Sequence, residues 1–253
     1  MKNTKIVYED SDILILNKDA GITVNKSDTT RGEHTVQDFL EEKLRLNDTS
    51  CDNSSDFFKR AGIVHRLDKE TSGILIAAKT PDAFLNLQKQ FKERKVKKTY
   101  IALAHGKMLE ENGEIRVPVG RLPWNRKRFG VLAGGREALT KYKVLEALEV
   151  KIKNSREILT LLELFPETGR THQIRVHLKY INRPIFSDYL YAGRKTARDD
   201  RKILPRVFLH AKKISFFHPV TKKLVSFEAQ IPEELTEVLK FYGFKQVIFA
   251  SIK

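Results

Sequence analysis

Cysteine is nearly absent from this chain of 253 residues, which holds only Cys51. An internal disulfide is thereby excluded, and one thiol cannot by itself build a zinc site, so neither a covalent staple nor a structural metal is expected. The polar surroundings of that cysteine, NDTSCDNSSD, read as an incidental surface thiol rather than a nucleophile. No apolar run approaches the roughly 20 residues that span a bilayer. The opening MKNTKIVYED also lacks the apolar segment of a secretory signal, so a cytoplasmic protein without a membrane partner is expected. No serine stands in a G-x-S-x-G elbow, and phosphate loops and dinucleotide fingerprints are missing. A Ser-His-Asp triad and a nucleotide cofactor therefore have no support. There is no repeat of fixed period and no low-complexity tract.

What the chain does have is positive charge. Its formal net charge of +15 creates a field that draws in polyanions and raises encounter rates with them. The basic residues cluster: Lys89, Lys92, Arg94, Lys95, Lys97 and Lys98 in one stretch, Arg121, Arg126, Lys127 and Arg128 around Trp124 and Phe129 in a second, and Arg194, Lys195, Arg198, Arg201 and Lys202 in a third. Backbone phosphates are held best by several such groups at once, so nucleic acid is the expected partner, against the plainer reading of a solubilising surface. A hydrophobic fraction of 41% is ample for a packed core.

The periodicity predicts an α+β fold. KIVYEDSDILILNK reads as a strand pair around an acidic turn, and HTVQDFLEEKLRL as a helix burying Val36, Phe39, Leu40 and Leu44. A mobile polar loop at about 47–57 should follow. GILIAAK has the continuous apolar character of a buried strand. TPDAFLNLQKQFKERK then starts a helix with Thr80 as N-cap, Pro81 in the first helical position, and Phe84, Leu87 and Phe91 as its buried stripe. From KKTYIALAHG onward short strands alternate with turns. They are interrupted by one helix, THQIRVHLKYIN, with Ile174, Leu178 and Ile181 inward, and closed by another beginning near Pro232. Strands outnumber helices without βαβ alternation, which argues for a mixed, mainly antiparallel sheet flanked by helices.

Two segments could carry chemistry. In HRLDKETSGILIAAK, Asp68 lies between Arg66 and a Thr-Ser-Gly turn that the following strand would fix. Such a carboxylate can be a nucleophile, a base or a structural ion-pair partner. In PETGRTHQIRVHL, Gly169 leads into a helix whose first turns carry Arg170, His172, Gln173, Arg175 and His177, and a helix mouth of this kind can hold a carboxylate on a guanidinium through two parallel bonds. The two histidines are five apart, which does not match a helical metal pair, so no metal is expected.

These segments, with KKTYIALAHG, LHAKKISFFHP and the opening YEDSDILILNKDAG, resemble the RluA family of pseudouridine synthases across nearly the whole chain. The resemblance implies a pseudouridine synthase fold with an active-site cleft across its sheet, and isomerisation of uridine in ribosomal or transfer RNA without cofactor or metal. Asp68 aligns with the aspartate that attacks the target nucleotide while uracil is detached from ribose, turned and rejoined through carbon 5. Tyr100 aligns with the tyrosine that packs on the target base and assists loss of the carbon-5 proton, and Arg175 with the arginine that pairs with the aspartate. Arg66 aligns with an arginine that holds the RNA open once the base has left its stack. That role suits a long planar cation, because extruding a base costs a few kcal/mol and leaves a gap to brace. Without the resemblance Tyr100 reads as a core tyrosine and Arg175 as a surface helix cation. With Arg66, the residues His65, Thr71, Arg170, His172 and Gln173 are expected on the substrate side of the site. His65 and His172 read either as such contacts or as groups that order loops by hydrogen bonds, with no acid-base role; Thr71 and Ser72 are expected to fix the Asp68 loop through their side chains, and Arg170 and Gln173 to hold the site or the RNA backbone.

Two segments depart from the family pattern. Lys18-Asp19-Ala20-Gly21 stands where the family usually has Lys-Pro-Ala-Gly, and Ser187-Asp188-Tyr189-Leu190-Tyr191 where it has a Gly-Asp-Pro-Tyr-like run. Both concern loop shape rather than the identity of Asp68. A single catalytic domain over 1–253, acting as a monomer and without the accessory RNA-binding domain many relatives carry, is expected. The competing readings are an RNA-binding protein on the same fold that has lost catalysis, and a carboxylate-pair glycoside hydrolase, for which Glu70 is too close to Asp68 to serve as second acid.

Overall fold

A computed structural model of the chain describes residues 4–30, 32–46, 55–152 and 155–245. Cys51 and most of the polar loop expected at 47–57 lie outside the described residues. The first half contains β1 (Thr4–Glu9), β2 (Ile13–Lys18), α1 (Val36–Lys43), α2 (Asp56–Lys59), β3 (Ser72–Ala78), α3 (Pro81–Lys92), β4 (Lys97–His105) and β5 (Asn112–Arg116). The second contains β6 (Val119–Leu122), β7 (Asn125–Val131), β8 (Leu139–Ile152), β9 (Ser155–Pro166), α4 (Gln173–Tyr180), α5 (Arg194–Asp200), β10 (Leu209–Phe217), β11 (Leu224–Glu228) and α6 (Glu233–Tyr242). These form two compact units, Met1–Lys97 with Lys213–Ala229, and Lys98–Lys212 with Gln230–Lys253. The mixed α+β class with mainly antiparallel strand pairing, as read from the sequence, is what is observed.

In the first unit β1, β2 and β3 pair antiparallel in that order, with Ile13 opposite Ala78 and Lys18 opposite Gly73. The acidic turn between β1 and β2 closes on Asp10, whose Oδ1 accepts the N–H groups of Asp12 and Ile13, both at 2.8 Å. His218 Nε2 lies 2.9 Å from Asp10 Oδ2, while its Nδ1 accepts the N–H groups of Val220 and Thr221. The proton therefore sits on Nε2, and the Asp10–Asp12–His218 group, which has the spacing of a metal site, is a hydrogen-bonded turn anchor. Every residue of β3 is buried, as its unbroken apolar run requires. Ile13, Ile15, Ile74 and Ile76 meet Phe57, Phe84, Leu87, Ile214 and Phe216 in the core. Each such side chain contributes about 1.5–3 kcal/mol when removed from water. Thr80 caps α3 by accepting the Ala83 N–H, with Pro81 behind it, as predicted. On α1 the predicted face is modified: Gln37 is buried beside Val36 and Leu40, whereas Phe39 and Leu44 are half-buried. Gln37 tolerates burial because its amide donates to the Lys59 carbonyl and to Glu41.

The second unit is built on antiparallel β4, β9, β8 and β5, with β10 beside β4. Leu103, Leu159, Leu161, Leu162 and Leu164 pack with Ile174 and Leu178 of α4, Phe186, Phe208 and Leu235. The run GEIRVPVGR divides at Val117-Pro118: β5 pairs with β8, whereas β6 leaves to form a separate two-stranded sheet with β7. Proline cannot continue a ladder, which explains the break. Arg194, Lys195 and Arg198 of the third basic cluster lie on α5, a helix without apolar periodicity, and Arg201 and Lys202 follow its end.

Candidate active site

The Asp68 loop belongs to the first unit and is tied to β3 at both ends. Upstream, Ile63 bridges to Ala77 and the Ala78 N–H donates to the Gly62 carbonyl at 2.8 Å. Gly62 has φ +72°, and a Cβ there would stand 2.0 Å from the Ala78 carbonyl oxygen, so no other residue allows this approach. Downstream the loop becomes β3 itself. Within it, the Thr71 N–H donates to the Asp68 carbonyl at 3.0 Å, a tight turn that fixes the aspartate backbone. Leu67 is buried between exposed Arg66 and half-buried Asp68, so it anchors the loop.

His65 accepts the Ile76 N–H on Nε2 at 2.9 Å and packs at a tilt against Phe91 with centroids 4.9 Å apart. Through that bond it orders the loop against β3. Thr71 acts differently from expectation. Its hydroxyl is buried without a hydrogen-bond partner among the described residues, and the backbone N–H, not the side chain, closes the turn. A buried cation also supports the loop. Lys18 is fully buried at the end of β2, on the inward face it shares with Leu14 and Leu16, and its ammonium donates to the carbonyls of Asp19, Ile22 and Lys69. With the Gly21 N–H bonded to the same Lys69 carbonyl at 2.7 Å, this ties the turn that lacks proline to the residue after Asp68.

The remaining sequence-predicted residues lie in the second unit. α4 begins at Gln173, because His172 has φ 57° in the left-handed region, so Arg170 and His172 precede the helix rather than ride its first turn. Gln173 is buried and saturated: Oε1 accepts from the Thr168 hydroxyl at 2.7 Å and the Arg170 N–H at 3.0 Å, and Nε2 donates to the Leu139 carbonyl and the Thr140 hydroxyl. All the hydrogen-bonding capacity of its amide is thus used within the fold. The Arg170 side chain donates to the Glu137 carbonyl at 3.1 Å. His177 is fully buried and neutral: burial holds its pKa below the usual imidazole value, against the opposing effect of the Val117 carbonyl at Nε2.

Arg175 is buried, unlike a surface helix cation. Its Nε and Nη2 donate to the two carboxylate oxygens of Asp188 at 2.7 and 2.8 Å, a bidentate pair of the strong, planar kind. Tyr191 lies under the guanidinium, with Cζ 5.1 Å from the ring centroid. Sequence reasoning named the segment 187–191 but gave Asp188 and Tyr191 no role. The signal that could have found Asp188 is a lone acid within a basic stretch, following a serine that here takes φ 62°.

Tyr100 is half-buried on β4, opposite Leu164 of β9, and packs on the core of its unit. Lys98 precedes it by two positions, on the same side of the strand, and donates to the Thr168 carbonyl at 3.3 Å. Burial pushes its ammonium down to about 8. The second basic cluster occupies the β6–β7 hairpin, where Trp124 is 76% exposed and Arg121 lies over Phe129 at 5.1 Å. Part of the third cluster is internal: Arg201 donates to the carbonyls of Ser187 and Pro205 and faces Tyr189.

The predicted residues therefore fall into two sets, His65, Arg66, Asp68 and Thr71 in the first unit, and Tyr100, Arg170, His172, Gln173 and Arg175 in the second. Residues 12–180 match the family model described as RNA pseudouridylate synthase. The chain is 37% identical over 240 residues to the ribosomal large subunit pseudouridine synthase D of Nitrosomonas europaea, covering 93% of this chain and 64% of that protein, so it spans just under two thirds of that relative's length. It is 35% identical over 237 residues to the uncharacterized RNA pseudouridine synthase YhcT of Bacillus subtilis, covering 94% of this chain and 72% of that one. Among solved structures, human RNA pseudouridylate synthase domain containing 1 superposes with a TM-score of 0.65 at 28% identity, covering 91% of this chain and 84% of that chain.

Proposed function

The chain belongs to the RNA pseudouridylate synthase family, and from that premise we propose that it isomerises uridine in RNA to pseudouridine. The observation that carries the proposal is the family match over residues 12–180, which takes in Asp68, Tyr100 and Arg175 together. The relatives named for the ribosomal large subunit direct the reading toward ribosomal RNA, with transfer RNA as the other substrate class to be assayed. The reaction is an internal rearrangement: the bond from N1 of uracil to the ribose breaks, a bond from C5 to the same ribose carbon forms, and the C5 proton is lost as N1 gains one. Atoms and electrons balance with no oxidant, cofactor or metal supplied.

Asp68 is the nucleophile, held on a loop whose backbone leaves little freedom. Tyr100 receives the face of the extruded base, a contact worth on the order of 1–3 kcal/mol per stacked base, and assists departure of the C5 proton. For Arg175 the family resemblance implies the arginine that pairs with the catalytic aspartate. Arg66, exposed beside Asp68, braces the gap the base leaves. The basic surface, with the arginines flanking Trp124 on the β6–β7 hairpin, supplies RNA affinity.

The protein should be incubated with unmodified ribosomal and transfer RNA, which is then digested to nucleosides. Wild type should yield pseudouridine, and Asp68→Asn should yield none while melting at the same temperature. RNA binding without pseudouridine from wild type would instead identify a binding protein on this fold.

A further inference from the structure

Arg175 is held by Asp188 and by Tyr191, and these two contacts lead to different places. Asp188, fully buried, holds one edge of the guanidinium through the bonds from Nε and Nη2. Its Oδ1 also accepts the N–H groups of Leu190 and Tyr191, so this restraint is closed within the segment that follows α4. Tyr191 touches the face of the guanidinium, and the far end of its ring is tied to another element. Its hydroxyl accepts the Phe129 N–H of β7 at 3.1 Å and lies 2.9 Å from His172 Nδ1. Edge and face control separate motions: a bidentate pair fixes the direction in which the fork points, whereas a ring against one face fixes the tilt of the plane about that edge.

The tilt therefore depends on where β7 stands. Phe129 meets the His172 ring edge-on at 5.5 Å and carries Arg121 on its own ring. The base of the hairpin shares a small apolar cluster with Tyr191, comprising Val119, Ala138, Val176 and their neighbours Phe129 and Val131. Close-packed side chains transmit a displacement rather than absorb it. The tip of the same hairpin presents Trp124 to solvent.

We propose that Tyr191 is a positioning residue through which the β6–β7 hairpin sets the tilt of Arg175, so that RNA held on the hairpin and the orientation of the arginine are coupled. This rests on the reading of Arg175 and of the hairpin given under the proposed function.

Tyr191→Phe keeps the ring beneath the guanidinium and removes only the hydroxyl. In the intact chain of 253 residues, with ribosomal RNA as substrate, it should leave RNA affinity and melting temperature unchanged and lower the single-turnover rate at saturating RNA by about tenfold, within the range seen when a coupling residue is altered. Arg128→Glu on the hairpin should weaken binding and slow the reaction in the wild-type background, but only weaken binding when combined with Tyr191→Phe. A readout independent of catalysis is the fluorescence anisotropy decay of Trp124, the one tryptophan of the chain, which should gain a faster component in Tyr191→Phe. The proposal is overturned by an unchanged rate, by an Arg128→Glu slowing of equal size in both backgrounds, or by unaltered Trp124 anisotropy. A general loss of packing would instead lower the melting temperature and alter affinity and rate together, and it too would overturn it. Wild-type protein that makes no pseudouridine at all would remove the functional reading, and Trp124 anisotropy alone would then decide whether the hydroxyl ties the hairpin down.

Discussion

Thr71 carries a hydroxyl that is buried and, among the described residues, makes no hydrogen bond. Such a group costs about 1–3 kcal/mol relative to a satisfied one. Thr71→Val keeps the branched shape and discards the oxygen, so stability to denaturant should hold or rise by up to about 1 kcal/mol; a clear loss would show that the hydroxyl is engaged. The sequence placed Thr71 correctly beside the turn but assigned the bond to its side chain, because Thr-Ser-Gly after an aspartate reads equally as a side-chain or a backbone turn. His105 was not legible at all. It lies buried between Asp200 at 3.0 Å and Glu157 at 3.1 Å, carboxylates far along the chain. Burial disfavours its charge, but hydrogen bonds and attraction from Asp200 and Glu157 outweigh it and raise the imidazole to about 9. A folded pKa above the unfolded value gives stability that is complete below about pH 6.5 and disappears as pH rises through the folded value. Melting temperature should therefore fall more steeply between about pH 7 and pH 10 in wild type than in His105→Gln, by the equivalent of on the order of 2 kcal/mol. Parallel profiles would mean that the imidazole is neutral in the fold.

At the level of elements, the helices and strands with unbroken periodicity were legible and the departures were not. α3 could be read from Thr80 and Pro81, and β3 from its apolar run, because each signal is local. The start of the β6–β7 hairpin was hidden in a run continuous with β5, since only the partner of each half distinguishes β5 from β6. The same limit applies to the site. The mouth of α4 was recognisable from its cations, yet the carboxylate pairing with Arg175 arrives from Asp188 through a turn with a left-handed serine, which no spacing rule anticipates. If the hairpin holds RNA phosphates, charge reversal at Arg121 and Arg128 should lower the slope of log affinity against log salt by about 1–2, in proportion to the phosphates released. An unaltered slope would make both arginines bystanders.

For the whole molecule, fold class followed from the proportion and order of periodic segments, and family from motifs spread along most of the chain. The division into two units did not. It depends on β10, whose residues Leu209–Lys212 belong to one unit and Lys213–Phe217 to the other, and a strand late in sequence gives no local sign of its neighbours. Charge was the most informative global property, since +15 points to a polyanionic partner, whereas the proposed role of Asp68 is what would distinguish an enzyme from a mere polyanion binder. That distinction can be read from a single bond. In RNA carrying tritium at C5 of uridine, joining that carbon to ribose must release the label into water. Wild-type protein should release it in step with the uridines modified, and Asp68→Asn should release none. Tritium retained by RNA that wild type binds, or equal release by the Asn variant, would contradict the assignment of Asp68 as the nucleophile of a uridine isomerase.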